Sequence, residues 1–161
     1  MTDEMVLDRE KGEFRLFGRR HGAVDAQSLC DHLDSLVGSV VGEVIMNNLE
    51  SRLGKEDGAR IREAHPNATV DELVGELIEA DLLTGMGITK ASIPKQLTEP
   101  IKLEIWNPIV RGNKGAAKSF LFSWWCGALT SILGRELEMR TVDYDENENL
   151  MRCEIAPRRS E

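Results

Sequence analysis

The chain is predicted to adopt an α+β fold: an antiparallel sheet of about four to five strands with three main helices packed on it. Three observations predict it. Helical and alternating stretches come in groups, so hairpin connections outnumber the strand–helix–strand units that a doubly wound parallel sheet would need. The last two alternating stretches are joined by a short acidic turn, the pattern of a hairpin. One late segment is apolar nearly all round a helix, as expected of an element touching neighbours on several sides.

Taken in order, the first dozen residues are charged and expected to be loose. Glu13 to Phe17 is a short strand stopped by Gly18. From Asp25 to Leu53, Leu29, Leu33, Leu36, Val37, Val40, Val41, Val44, Ile45 and Leu49 recur at steps of three and four, one apolar face at helical period. Asp25 is the N-cap and Gly54 ends the pattern. Gly38 and Gly42 lie one turn apart on this helix. Each costs up to ~1 kcal/mol against alanine, so they imply close approach of another element or of a ligand.

Lys55 to Pro66 is a polar connection or a continued or broken helix. Thr69-Val70-Asp71-Glu72 is a capping box opening a second helix, with Val70, Leu73, Val74, Leu77 and Ile78 as its buried stripe, ending near Leu83. Gly87 to Ile93 is a weak strand. Ile101 to Trp106 alternates cleanly, with Ile101, Leu103 and Ile105 inward. A third helix runs from about Ala116 to Leu133 and stops at Gly134. Strands 137–144 and 150–155 complete the chain.

At 161 residues this is one domain, 1–161, large enough to need neither disulfide nor metal for stability. The net charge of −8 argues against nucleic-acid binding, which needs clustered Lys and Arg. No apolar run approaches the roughly 20 residues of a membrane span, and no signal-peptide core follows the acidic start, so a cytoplasmic protein is expected. Cys30, Cys126 and Cys153 are widely spaced, neither a disulfide framework nor a metal clip. His21, His32 and His65 do not cluster with other ligand types.

Two segments carry candidate chemistry. Gly112 to Ser119 nearly matches the phosphate-cradling G-x-x-x-x-G-K-[ST], but Ala117 replaces the second glycine. The plainer reading is a loop leading to a helix N-terminus. In the third helix, Phe120, Trp124, Gly127 and Ser131 lie along one side, Leu121, Trp125, Ala128 and Ile132 beside them, and Phe122, Cys126, Leu129 and Leu133 complete the circumference. This helix is either core and interface packing or the wall of a pocket.

With these residues assembled, the chain resembles the 4-vinyl reductase domain family, also called hydrocarbon-binding domains. Its members are similar in fold to Bet-three-type subunits of the transport-particle tethering complex. The segment 127–135 fits the family's Gly-x-x-Ser-x-x-x-Gly-Arg helix, with Thr130 in the Ser place. Val142-Asp143-Tyr144 stands against hydrophobic-Glu-Cys, and Met151 to Ile155 fits the last strand with Cys153 retained. Asp143 and Cys153 are thus the remnants of a possible metal set in which Tyr144 replaces a cysteine. Tyrosine is a poor zinc ligand in that company, so no metal is expected.

What the resemblance implies is an apolar small molecule held between helices and sheet, in a homodimeric binding or sensor domain without catalytic residues or an assigned cofactor. The ligand-binding candidates are Trp124, Trp125, Cys126 and Gly127, with Gly38 and Gly42 giving room opposite. The alternative is a structural subunit of a larger assembly, its apolar helix serving as an interface. No dinucleotide-binding GxGxxG turn supports a reductase.

Overall fold

The computed structural model describes residues 25–96 and 98–158, and the backbone of 5–8, 13–16 and 19–21. Three short strands open the chain: β1 (Met5–Asp8), β2 (Glu13–Leu16) and β3 (Arg19–His21). They form an antiparallel sheet of their own in the order β1-β2-β3. Only β2 was foreseen. β1 falls within the dozen residues read as loose, of which 1–4 and 9–12 lie outside the described residues.

The helix expected over 25–53 is two helices, α1 (Ala26–Val37) and α2 (Ser39–Ala64). Asp25 caps α1, its Oδ1 accepting from the Ser28 N–H at 3.0 Å. The break falls at Gly38, whose φ of 83° and ψ of 151° are open to glycine and hostile to other residues. Gly54 does not end the second helix. It lies inside α2, which continues through the polar stretch to Ala64.

The stripe predicted to be buried is mostly exposed, and this too corrects the sequence reading. Leu29, Leu36, Val37, Val40, Val41, Val44, Ile45 and Leu49 are all exposed, Val40 by 80%. The period is right and the face is reversed. α2 buries Gly42, Met46, Gly54, Asp57, Gly58 and Ile61 instead. The reason is backbone contact: a Cβ at Gly54 would collide with the Trp124 carbonyl, and one at Gly58 with the Ala128 carbonyl. Two helices can approach this closely only where side chains are missing.

α3 (Val70–Thr84) begins with the expected capping box. The Thr69 N–H donates to Glu72 Oε2 at 2.7 Å, and the Glu72 N–H donates back to Thr69 Oγ1 at 3.3 Å. The main sheet comprises β4 (Ile88–Ser92), β5 (Ile101–Trp106), β6 (Leu137–Asp145) and β7 (Leu150–Pro157), in the order β4-β5-β7-β6 and antiparallel throughout. The fold is therefore α+β with a four-stranded antiparallel main sheet, as predicted, and four helices. Its inner face pairs Ile101 with Ile155, Leu103 with Cys153 and Ile105 with Met151, all buried.

α4 (Gly115–Leu133) is the central element: fourteen of its nineteen residues are buried. It contacts α1, α2, α3 and β6. Gly134, left-handed at φ 63°, ends it as predicted.

Candidate functional site

The site is built outward from α4. The loop before it leaves the first N–H groups of the helix without a local side-chain cap. Asp34 of α1 supplies one from a distance: its Oδ1 accepts from the Ala116 N–H at 3.0 Å, and the carboxylate occupies the space where a Gly115 Cβ would stand. Lys118 Nζ donates to Glu43 Oε1 of α2 at 2.7 Å. The near-miss phosphate loop thus has its helix terminus occupied by an internal carboxylate and its lysine paired with another, which supports the plain loop reading.

On one flank α4 is closed. Trp125 has no exposed surface, and its Nε1–H donates to Asp81 Oδ2 of α3 at 2.7 Å. Thr89 of β4 donates its hydroxyl to the same oxygen at 2.5 Å. Burial pushes the Asp81 carboxyl up to about 6, while the two donors pull in the opposite direction. Trp124 stands edge-to-face with Trp125, centroids 5.9 Å apart, and donates its Nε1–H to Asp57 Oδ2 of α2 at 3.0 Å. Gly127 lies against the α2 backbone at Ser51.

The other flank is hollow. A cavity of about 590 Å³ lies between α2, α4 and β6. Asn47 comes from α2, Ser119 and Cys126 from α4, and Met139 and Val142 from β6. Ser123 of α4 donates its hydroxyl to Asn47 Oδ1 at 2.8 Å. Ser119 Oγ, wholly buried, has no hydrogen-bond partner among the described residues. Five charged side chains also line it, in opposed groups: Lys118 with Glu43, and Glu138 with Arg140 at 2.7 Å and Arg158 at 3.7 Å. Burial raises the Cys126 thiol to about 11 and pushes Cys153 higher still, so neither is a ready nucleophile at neutral pH.

Of the six ligand-binding candidates, this cavity gathers only Cys126 into its lining. Trp124 and Trp125 point their N–H groups at α2 and α3, and Gly127 spaces α4 from α2. Gly38 forms the α1–α2 corner, and Gly42 lies against the Asp34 side chain of α1, not opposite the tryptophans. The room opposite Trp124 comes from Gly54. The two weak metal candidates face opposite sides of the sheet: Asp143 pairs with Arg152, whereas Cys153 pairs with Val142 one position away. One ion cannot reach both. Among the described residues no three His, Cys, Asp or Glu side chains gather in a metal-holding group.

Sequence reasoning passed over Ser119 and Asn47 as site residues. The only signal for Ser119 was its place in the phosphate-loop near-match; a buried hydroxyl without a partner is visible only in three dimensions.

No family model matches the chain, and neither does any curated protein. Among solved structures it is similar to the phenol-responsive sensory domain of the transcription activator PoxR, determined with phenol. The TM-score is 0.70 at 11% identity, covering 96% of this chain and 85% of that one. At that identity the likeness is one of fold. Among the described residues, no helix is long and apolar enough to cross a membrane.

Proposed function

We propose that the chain is a cytoplasmic small-molecule sensor domain of the 4-vinyl reductase type, working as a homodimer, and that its ligand occupies the cavity between α2, α4 and β6. The observation that carries this reading is the cavity itself. Its volume of about 590 Å³ lies within the ~300–1,000 Å³ typical of ligand sites, and it opens beside the central helix of a fold resembling a phenol-responsive sensory domain.

In this reading Cys126, Met139 and Val142 form the apolar wall. Trp124, Trp125 and Gly127 act from behind, holding α4 at fixed distances from α2 and α3. Gly38 and Gly42 shape the corner from which Asp34 caps α4. No group is assigned a catalytic role, because the buried thiols are protonated and the carboxylates near α4 are hydrogen-bonded or ion-paired. The homodimer is supported by the exposed stripe of Leu36, Val37, Val40, Val41, Val44 and Ile45, too continuous an apolar surface to face water without consequence.

Native mass spectrometry of the purified chain tests both parts. A dimer mass carrying a small apolar adduct is expected. A bare mass that stays bare after incubation with a fluorescent apolar probe would overturn the ligand assignment. The same exposed stripe favours a second reading, an interaction subunit of a larger assembly, and a bare monomer would favour it.

A further inference from the structure

We infer that the free edge of β6 is a docking site for one extended strand of a partner protein, a segment of alternating apolar and acidic side chains that adds itself to the main sheet alongside α2. The inference stands apart from the small-molecule reading. It uses the open side of the same hollow, and a bound strand and a ligand would exclude one another there.

The first ground is the shape of the hollow. Six consecutive residues of β6, Leu137 to Val142, line it. Neighbouring residues of a strand point to opposite faces, so all six can meet one space only along the strand's edge. β6 is the last strand in the order β4-β5-β7-β6, and among the described residues it pairs with β7 alone. Across the gap stands α2, through Glu43, Val44, Asn47 and Ser51, one face at helical spacing. A second hollow of about 410 Å³ continues the first, sharing Asn113 and reaching Tyr144. The space therefore follows β6 from Leu137 to Tyr144, about 26 Å at ~3.3 Å per residue, which suits an extended chain better than a compact molecule.

The second ground is the backbone. The Arg158 N–H donates to the Glu136 carbonyl at 3.0 Å, and the Leu137 N–H turns away from β7 to Thr130 Oγ1 at 3.3 Å. With that phase, the alternation of an antiparallel ladder leaves Met139 facing away from β7. After the register shift at Arg140, Val142 and Tyr144 face away too. Their N–H and C=O groups have no backbone partner in another element among the described residues. The side chains agree. Met139 and Val142 stand opposite buried Ile155 and Cys153, yet are only half-buried themselves, because no strand lies beyond them. An edge walled by a helix admits one strand and no sheet. A second copy's β6 carries its own α2 beside it and does not fit, so the occupant is a single segment of another protein.

The third ground is charge. The chain carries −8 overall, yet the first hollow gathers Lys118, Arg140 and Arg158 against Glu43 and Glu138. The second hollow adds one of each sign, Arg111 and Glu146. An acidic segment is therefore matched here and opposed by the chain's net charge elsewhere. Val44, Met139 and Val142 receive its apolar side chains.

Two labelled peptides test this, Val-Glu-Val-Thr-Val-Glu-Val and its counterpart with Lys in place of Glu, titrated into the full chain by fluorescence anisotropy, with amide hydrogen exchange followed by NMR. The acidic peptide is expected to bind about fivefold more tightly than the basic one, the worth of one exposed ion pair. The amides of Met139, Val142 and Tyr144 should exchange freely without peptide and become protected with it, while those of Glu138 and Asp143 stay protected throughout. Val142→Pro removes an N–H that the β7 ladder does not use, a change tolerated at sheet edges. It should weaken binding about tenfold, the upper worth of one hydrogen bond, with little change in melting temperature. Should that variant not fold, exchange in the wild type decides alone. Equal binding of the two peptides, or binding without protection of the three amides, overturns the inference. So does binding that survives Val142→Pro, or the absence of binding by either peptide. Protection of the three amides before peptide is added would mean that the chain's own strand fills the edge, and overturns it as well. None of these outcomes touches the small-molecule reading, which the apolar probe tests by itself.

Discussion

The two flanks of α4 are made from the same nineteen residues and end in opposite states. Toward α3 and β4, Trp125 fills its space completely and its one polar atom is bonded to Asp81, itself bonded to Thr89. Toward α2 and β6, the wall is broken by a cavity of about 590 Å³ and one buried hydroxyl is left without a partner. A helix that is apolar all round needs neighbours all round, yet nothing in that requirement says each must be protein. The dry flank holds the fold, and the hollow flank can then be given to recognition.

If that division is right, damage to the dry flank should dominate stability. Trp125→Ala removes the largest wholly buried side chain and strands Asp81 with one donor fewer. It is expected to cost ~3–5 kcal/mol in urea unfolding, the range for large-to-small changes in a core. A loss near 1 kcal/mol would mean that the flank is softer than its packing implies.

Asp81 gives the dry flank a pH signature of the opposite sign to that of an ordinary salt-bridged carboxylate. Its folded value, about 6, lies above the usual 3.8 because burial disfavours the charge. Below about pH 4 both states hold the proton and the contribution is whole. Between about pH 4 and pH 6 the unfolded chain ionises first, so stability is lost as pH rises; above about 6 the loss levels off. The interval corresponds to roughly 3 kcal/mol. Unfolding at pH 4 and pH 7 should therefore show a component that Asp81→Asn abolishes, and equal pH profiles for the variant and the wild type would refute it.

The contact between α2 and α4 allows a sharper test of close approach against mere helix propensity. Gly58→Ala drives a Cβ into the Ala128 carbonyl and is expected to cost on the order of 1–3 kcal/mol, backbone against backbone having no easy relief. Gly75→Ala on α3 meets nothing within 4 Å and should instead stabilise by up to ~1 kcal/mol, the propensity gain alone. If both variants move the same way, glycine spacing is not what sets the helix separation.

These glycines also mark where the sequence stopped being legible. Local signals read well: the Asp25 cap, the Thr69–Glu72 box, the alternation of Ile101 to Trp106 and the stop at Gly134 all stand where expected. Each depends on residues within a few positions of one another. The failure at α1–α2 was of another kind. Valine and leucine at helical period identify an apolar face, but the buried face is the one lined by Gly54 and Gly58, because backbone contact needs absent side chains and hydropathy does not register absence. The Asp34 cap of α4 joins residues 82 positions apart. At the candidate site, Cys126 stood out by its neighbours, whereas Ser119 looked like half of a phosphate loop. Its meaning depends on β6 and α2 leaving space beside it.

The smallest expected effect separates the flanks most directly, because it pairs two serines four residues apart on one helix. Ser123 is bonded to Asn47, so Ser123→Ala removes a partner from a part-buried amide oxygen and should cost about 1 kcal/mol. Ser119 has no partner to lose, so Ser119→Ala, with no ligand present, should leave stability unchanged or raise it slightly. Both changes delete the same atom from equally buried positions, so helix propensity and transfer free energy cancel in the comparison. What remains is whether the hydroxyl is used by the protein. A loss at Ser119 as large as the loss at Ser123 would show that its hydroxyl is already satisfied within the fold, and the hollow flank would have no unfilled polar position left to offer.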